Sequence, residues 1–357
     1  MPTLHQFCPV LRPGDAISNQ VAAIQRIAGQ LGSATAIWHL HSGTHPAVPS
    51  RSYMRCRPAS GDVLLLHYST ASALDMFVRP YASQLAVCYH NITPPEYYAP
   101  FNPALATQLR DGRERLRDHF FGPIRVYAGS AFNRAELNVW GYGSIGEMPY
   151  VLSAETLPAA AQLPNDLRLT HTLKDKTNWL FVGRIAPNKR QDALVRAFAH
   201  YRQHFNPNAR LLLLGSSQSS GSYRRYLQAW IEVLNLREHV QFVTPPDTEL
   251  AAYYAAADVF VSLSEHEGFG VPLIEAMWMD VPIIALARAA VPETLGDAGI
   301  LLESDQPDLV AACAHTLLTQ PALRTHVLQA QHMRAAAFAA NLAETQIRQT
   351  FTELFAI

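Results

Sequence analysis

Along the second half of the chain, short apolar runs alternate with segments whose apolar positions recur at helical spacing. Asn178 to Val182 predicts a strand, and from about Gln191 the residues Leu194, Val195 and Phe198 fall on one helical face. Arg210 to Leu214 predicts a strand ending at Gly215, followed by a Ser-rich loop and a helix over Tyr223 to Leu234. Val240 to Val243 predicts another strand. Asp247 then stands where an N-cap would, with Leu250, Tyr253 and Tyr254 behind it. Val259 to Leu263 and Val281 to Ala285 complete the series. Apolar runs between helical patterns predict strands buried on both faces, hence a parallel, Rossmann-like sheet.

The first half carries the same alternation less cleanly. Asp62 to Leu66 and Leu85 to Tyr89 predict strands. Ser18 to Leu31 predicts a helix with Val21, Ile24, Ile27 and Leu31 on one face, and Ser130 to Val139 another. From about Ser153 to Lys176 the composition turns to Ala, Pro, Thr and polar residues, which reads as an interdomain connection. A chain of 357 residues is long for one core and divides naturally into two domains, 1–170 and 171–340, with a last helical stretch over Asn341 to Phe355 within 341–357.

Composition narrows the class. With 49% hydrophobic and 16% charged residues the chain is globular, not disordered. No apolar run approaches the length of a membrane span, about 18 residues, and the start MPTLHQFCPV has neither a basic leader nor a long apolar core. Cys8, Cys56, Cys88 and Cys313 are far apart, without a C-x-x-C pair, so neither a disulfide framework nor a zinc knuckle is indicated. A reduced, cytoplasmic protein is expected. The first half is mildly basic, with Arg and no Lys, and the second mildly acidic. That tilt is too weak for nucleic-acid binding but suits an anionic acceptor or a membrane surface. Arg110, Arg113, Arg115 and Arg117, interrupted by Asp111, Glu114 and Asp118, fit either a lipid-facing surface or a solvated helix face.

The richest stretch is DVFVSLSEHEGFGVPLIEAMWMDVPIIA, Asp258 to Ala285. It reads as strand, Gly-rich turn, helix and strand, and such a turn leaves the carboxyl end of a strand, where open α/β sheets hold ligands. Gly268 and Gly270 allow close backbone approach beside Phe269, and the helix opening near Pro272 offers free N–H groups to an anion. Glu267 lies in the turn and Glu275 about one turn into the helix. Carboxylates beside a phosphate site are good hydroxyl acceptors, so the unit suits a nucleotide sugar. Arg184 and Lys189, in the turn GRIAPNKRQDALVRAF between a strand and a helix, form a second constellation, a candidate diphosphate clamp. In the first half, His90 and Asn91 of YHNITPP follow an apolar strand, and Gly14 and Asp15 precede a helix for which Ser18 or Asn19 is a possible cap. Gly141 to Gly146 spells G-x-G-x-x-G but follows a helical pattern, so Gly141 is read as a helix end and a nicotinamide site is rejected.

Glu267 and Glu275 resemble the E-x7-E motif of retaining glycosyltransferases of the GT-B fold, and their flanks are similar to family 4 of those enzymes. The resemblance implies two Rossmann-like domains with parallel sheets facing across a cleft: an acceptor domain, a donor domain, and a terminal helix returning to the first. It implies Glu267 at the donor sugar, Glu275 at the nucleotide ribose, Arg184 and Lys189 at the donor phosphates, and His90 near the sugar. It also places Gly14 and Asp15 near the donor and Thr244 to Pro246 near the base, and it requires neither metal nor cofactor; the Asp-x-Asp manganese handle of the other large glycosyltransferase fold is absent. GDAISNQ, YHNITPPEYY and SAFNRAEL look like bacterial members associated with mannose or rhamnose transfer in surface polysaccharides. The expected partners are GDP-mannose or a UDP-glucose-type donor, and a saccharide or lipid-linked saccharide acceptor met in the cytoplasm or at the inner membrane. A GT-B epimerase, a glycoside phosphorylase and a non-catalytic carbohydrate-binding subunit would share much of this scaffold.

Overall fold

The structure, a computed structural model, describes residues 2–43, 48–152, 176–216, 220–245 and 247–355. Its chain forms two compact units. The first comprises Met1–Pro95, Ala104–Leu152 and Ala339–Ile357; the second comprises Glu96–Pro103 and Ser153–Phe338. The interdomain connection expected over Ser153 to Lys176 lies, apart from Lys176, outside the described residues.

The first unit is built on seven strands: β1 Leu4–Cys8, β2 Thr35–His39, β3 Arg51–Ser52, β4 Val63–Tyr68, β5 Leu85–Tyr89, β6 Arg125–Ala128 and β7 Ile145–Glu147. They pair in parallel in the order β3-β2-β1-β4-β5-β6-β7. The second unit carries β8 Asn178–Val182, β9 Arg210–Leu214, β10 Val240–Val243, β11 Val259–Ser262, β12 Ile283–Leu286 and β13 Ile300–Leu302, again all parallel, in the order β10-β9-β8-β11-β12-β13. Each sheet therefore grows outward from one central strand and then restarts on its other side. The direction reverses between β1 and β4 and between β8 and β11, and in open α/β sheets ligands bind at the strands' carboxyl ends beside such a switch point.

Apolar runs formed strands because both faces of each sheet are covered: β1, β4, β5 and β9 are buried throughout. The strands without such runs, β2, β3, β6, β7 and β13, are short or partly polar and were not legible in the pattern. Gly141 has φ 89, and the N–H groups of Gly141 and Tyr142 bond back to the carbonyls of Asn138 and Leu137. That is a left-handed helix end, and the strand β7 comes inside the G-x-G-x-x-G run, not before it. At the first helix, Ala16–Gln30, the cap is Asp15, where Ser18 or Asn19 had been expected: its carboxylate accepts from Ser18 N at 2.9 Å and Ser18 Oγ at 2.8 Å. The helix expected behind Asp247 runs Asp247–Ala255, but the Asp247 side chain lies outside the described residues.

The helix Pro103–Arg117 divides its arginines. Arg115 pairs at 2.6 Å with the buried Asp75, while Arg113 pairs with Glu136 and donates to Ile92 O at 2.7 Å. Only Arg110 and Arg117 of the four are exposed. No helix among the described residues is long and apolar enough to cross a membrane.

The last helix, Ala340–Phe355, belongs to the first unit. Its Ile347, Phe351 and Leu354 are buried in one cluster with Leu4, Ile24, Ile27, Val63 and Leu65. Phe351→Ala should therefore destabilise the first unit by about 3–5 kcal/mol, read as a lower denaturation midpoint in guanidinium. A change below about 1 kcal/mol would mean that the helix is not part of this core.

Candidate functional site

At the switch point of the second sheet, β8 delivers the chain through Gly183 and Arg184 to a single 3-10 turn, Pro187–Lys189, and then to the helix Gln191–His204. The ends of β8 and β9 nearly touch: a Cβ on Gly215 would lie 2.0 Å from Gly183 O. Only glycine allows that approach. Buried Gln191 reaches back to hold Arg184 O at 3.0 Å. The loop is fixed from within, while the Arg184 side chain is left exposed.

The loop after β11 is tied to it. Asn188, almost wholly buried, donates through its side-chain amide to His266 O at 3.0 Å, and its backbone carbonyl accepts from Glu265 N–H at 2.9 Å. Two cation–carboxylate contacts flank this tie. Lys189 Nζ lies 2.5 Å from Glu267 Oε2, and Arg190 Nη1 lies 3.1 Å from Glu265 Oε1. Arg190 also meets Asp305 at 2.9 Å and Asp192 at 3.3 Å. The structure thus brings together Lys189 and Glu267, which sequence reasoning had assigned to opposite ends of a sugar phosphate. Asn188 and Arg190 were missed, since nothing in their spacing announces a role.

Gly270, with φ 96, ends this loop in the left-handed region and opens the helix Val271–Trp278, with Pro272 in its first turn. Glu275 on that helix accepts from Tyr254 OH at 2.7 Å. Burial first, and then the Glu275 charge, hold the Tyr254 phenol well above its usual range, so it stays a donor. Phe269 packs its ring edge-on against Phe338 at 6.0 Å, and its carbonyl accepts from Thr294 Oγ1 at 2.5 Å. Thr244, exposed at the end of β10, donates to Gly215 O at 3.3 Å.

In the first unit His90 sits at the end of a directed hydrogen-bond chain. Gln6 Nε2 donates to Val21 O at 3.1 Å, which turns Gln6 Oε1 toward His67 Nε2 at 2.9 Å. His67 Nε2 therefore carries its proton, and its Nδ1 accepts from His90 Nε2 at 2.9 Å. His90 Nδ1 then accepts from Tyr150 OH at 2.8 Å. Tyr150 is placed by buried Gln20, whose amide bonds Pro149 O at 2.7 Å and Val151 N at 2.9 Å. Both ring nitrogens of His90 are used, so its expected polar contact with a sugar requires the Tyr150 or His67 bond to open. Asn91 bonds Asn133 Oδ1 at 2.9 Å in the same unit. Gly14 adopts φ 68, and the Asp15 carboxylate is engaged in capping. His67, Cys88 and His90 bring their ligand atoms within 4.8 Å of one another. The chain supplies hydrogen-bond partners for both rings, and burial pushes the Cys88 thiol up to about 12.

Burial lowers His90 to about 3 and His67 well below its usual range. Both are then neutral at pH 7, and a base limb near pH 6.5, the range of an ordinary His, is not expected from His90. By linkage, the stability these neutral rings contribute is present above about 6.5 and is lost as pH falls toward about 3. Side-chain NMR should show neither ring titrating between about pH 5 and 8; a His90 midpoint near 6.5 would show it hydrated instead.

Residues 167–332 match the family described as glycosyl transferases, group 1. A D-inositol 3-phosphate glycosyltransferase of Segniliparus rotundus is 33% identical over 144 residues, 40% of this chain and 32% of that protein. A GDP-mannose-dependent alpha-(1-6)-phosphatidylinositol monomannoside mannosyltransferase of Mycolicibacterium smegmatis is 30% identical over 165 residues, 43% of this chain and 42% of the other. The O-antigen chain mannosyltransferase B of Escherichia coli is 30% identical over 139 residues, 37% and 34% of the two chains. The match thus spans less than half the length of these relatives. Among solved structures, sucrose-phosphate synthase from Thermosynechococcus elongatus superposes with TM-score 0.79 over 100% of both chains at 19% identity. Anabaena HepE in complex with UDP-glucose superposes with TM-score 0.79 over 99% of this chain and 100% of the other at 17% identity. With the two parallel sheets, these likenesses establish that the chain has the GT-B fold, and its residues 167–332 are similar to the group 1 glycosyl transferases.

Proposed function

We propose that the protein is a retaining glycosyltransferase that moves a hexose from a nucleoside diphosphate sugar to a hydroxyl of a saccharide or lipid-linked saccharide. The observation that carries the proposal is the contact of Lys189 with Glu267 at the switch point between β8 and β11. A cation for phosphate and an acceptor for hydroxyls stand within one bond of each other there, as the junction of a sugar phosphate demands. Negative charge grows on the departing diphosphate, and Lys189 with the exposed Arg184 stabilises it in the transition state. With these two cations neutralising the phosphates, the proposed reaction is metal-independent and needs no cofactor. Glu275, held by Tyr254, takes the ribose. Neutral His90 contributes polarity beside the sugar and is not the base. The acceptor enters on the face the diphosphate leaves.

GDP-mannose is the proposed donor, in polysaccharide synthesis in the cytoplasm. Its support is the pair of mannosyltransferase relatives, one of them named as GDP-mannose-dependent. A UDP-glucose-type donor is the second reading, favoured by the likeness to HepE with UDP-glucose. Peripheral contact with the inner membrane is part of the same proposal, and exposed Arg110 and Arg117 support it.

Lys189→Ala and Arg184→Ala should each cut turnover by about 10² or more, since each removes a cation aimed at developing charge. A loss below about threefold at saturating donor would remove that residue from the mechanism. A thermal-shift screen against GDP-, UDP-, ADP- and TDP-sugars identifies the donor, because a ligand of the folded state raises the midpoint. The anomeric couplings of the product, read by NMR, then test the reaction: an α-linked donor should give an α-linked product. A β-linked product sinks the retaining assignment, and release of a free or epimerised sugar without acceptor sinks the transferase.

A further inference from the structure

Lys189 and Glu267 occupy each other, yet the proposed reaction needs both for the donor. When the diphosphate takes Lys189 and sugar hydroxyls take Glu267, that contact opens, and the two loops lose one of the links between them. The neighbouring link has no such duty. Arg190 joins Glu265 at 3.1 Å, Asp305 at 2.9 Å and Asp192 at 3.3 Å, spanning the loop after β8, the loop after β11 and the segment after β13. It does so from φ 51 and ψ 40, a left-handed conformation that an arginine adopts at a cost glycine would not incur. Its side chain is about three-quarters buried, at 26% exposure, and Glu265 is steadied in turn by Arg288 at 3.7 Å.

We infer that Arg190 is a positioning residue: by bridging Glu265 and Asp305 it keeps the two donor loops in register while Lys189 and Glu267 separate to take a diphosphate-linked ligand. The inference rests on the proposed function for the identity of the ligand, and it adds a residue that this function does not itself require. Simple charge makes a different demand. If Arg190 acted only as one more cation near an anion, removing it would weaken anion binding, while removing the negative charge of Glu265 would strengthen it. Positioning requires both changes to weaken binding.

The test is calorimetric titration of the full-length protein with inorganic pyrophosphate, and in parallel with GDP and UDP. Wild type, Arg190→Gly, Arg190→Lys, Glu265→Gln and Lys189→Ala are compared, with thermal melts as the check on folding. Arg190→Gly removes the bridge and relieves the backbone strain, so its melting point should stay close to wild type while pyrophosphate affinity falls roughly tenfold. Glu265→Gln should weaken binding in the same direction, and Arg190→Lys, which keeps the charge without the planar fork, should recover part of it. Tighter binding by Glu265→Gln, or affinity within about threefold of wild type in folded Arg190→Gly, overturns the inference. If Arg190→Gly does not fold, the sign of the Glu265→Gln effect decides alone. Loss in Lys189→Ala with none in the other variants leaves the proposed function standing and removes only Arg190. A wild-type protein that binds none of the three ligands removes both.

Discussion

The arrangement of the two candidate donor loops rests first on one buried residue. The backbone carbonyl of Asn188 accepts the Glu265 N–H and its side-chain amide donates to His266 O, with almost none of the residue's surface in water. Two loops that leave different strands are thereby held at hydrogen-bond distance, and everything chemical follows from that spacing. Lys189 is the next residue in one loop and Glu267 the next but one in the other, so their contact is a consequence of the tie, not a cause of it. Each such bond nets only about 1 kcal/mol, and Asn188 Oδ1 is buried without a hydrogen-bond partner among the described residues, which offsets part of that gain. The tie thus brings the two loops together at little gain in stability, and the Arg190 contacts with Glu265 and Asp305 add to it.

Glycine performs the equivalent service one strand over. Because Gly215 has no Cβ to overlap Gly183 O, β8 and β9 end almost in contact, so the loop carrying Arg184 can run beside Ser216 with Ile185 N–H bonded to Ser216 O at 3.0 Å. Gly270 then turns the second loop into its helix through a conformation other residues resist. Backbone geometry of this kind is inexpensive to hold in glycine and hard to replace.

The two units solve opposite electrostatic problems. In the second, carboxylates and cations pair, partly exposed, between the loops after β8 and β11 and the segment after β13. In the first, a row of uncharged groups runs from Val21 O through Gln6, His67 and His90 to Tyr150, and burial keeps both imidazoles neutral. Direction along that row is fixed at one end by a backbone carbonyl, which has no choice of tautomer. His90 is in consequence an oriented dipole and not a titrating base.

Local pattern alone determined the strands β5, β8, β9 and β10 to the residue and the helix beginning at Gln191, and it singled out Glu267, Glu275, Arg184 and Lys189 as candidates, because these readings depend on neighbours in the chain: an apolar run, a glycine turn, a spacing along one helix. It also excluded the Gly141 to Gly146 fingerprint, whose order of helix and strand is wrong. What only the tertiary structure decided are the contacts between residues distant in sequence. The Asn188 tie, the Arg190 bridge across 75 and 115 residues and the His67 bond to Gln6 across 61 leave no periodic trace. The same holds for the packing of Phe269 against Phe338. Sequence spacing records which groups share an element; which of them meet is set by how the sheets order their strands, and that order is the outcome of burying both faces at once.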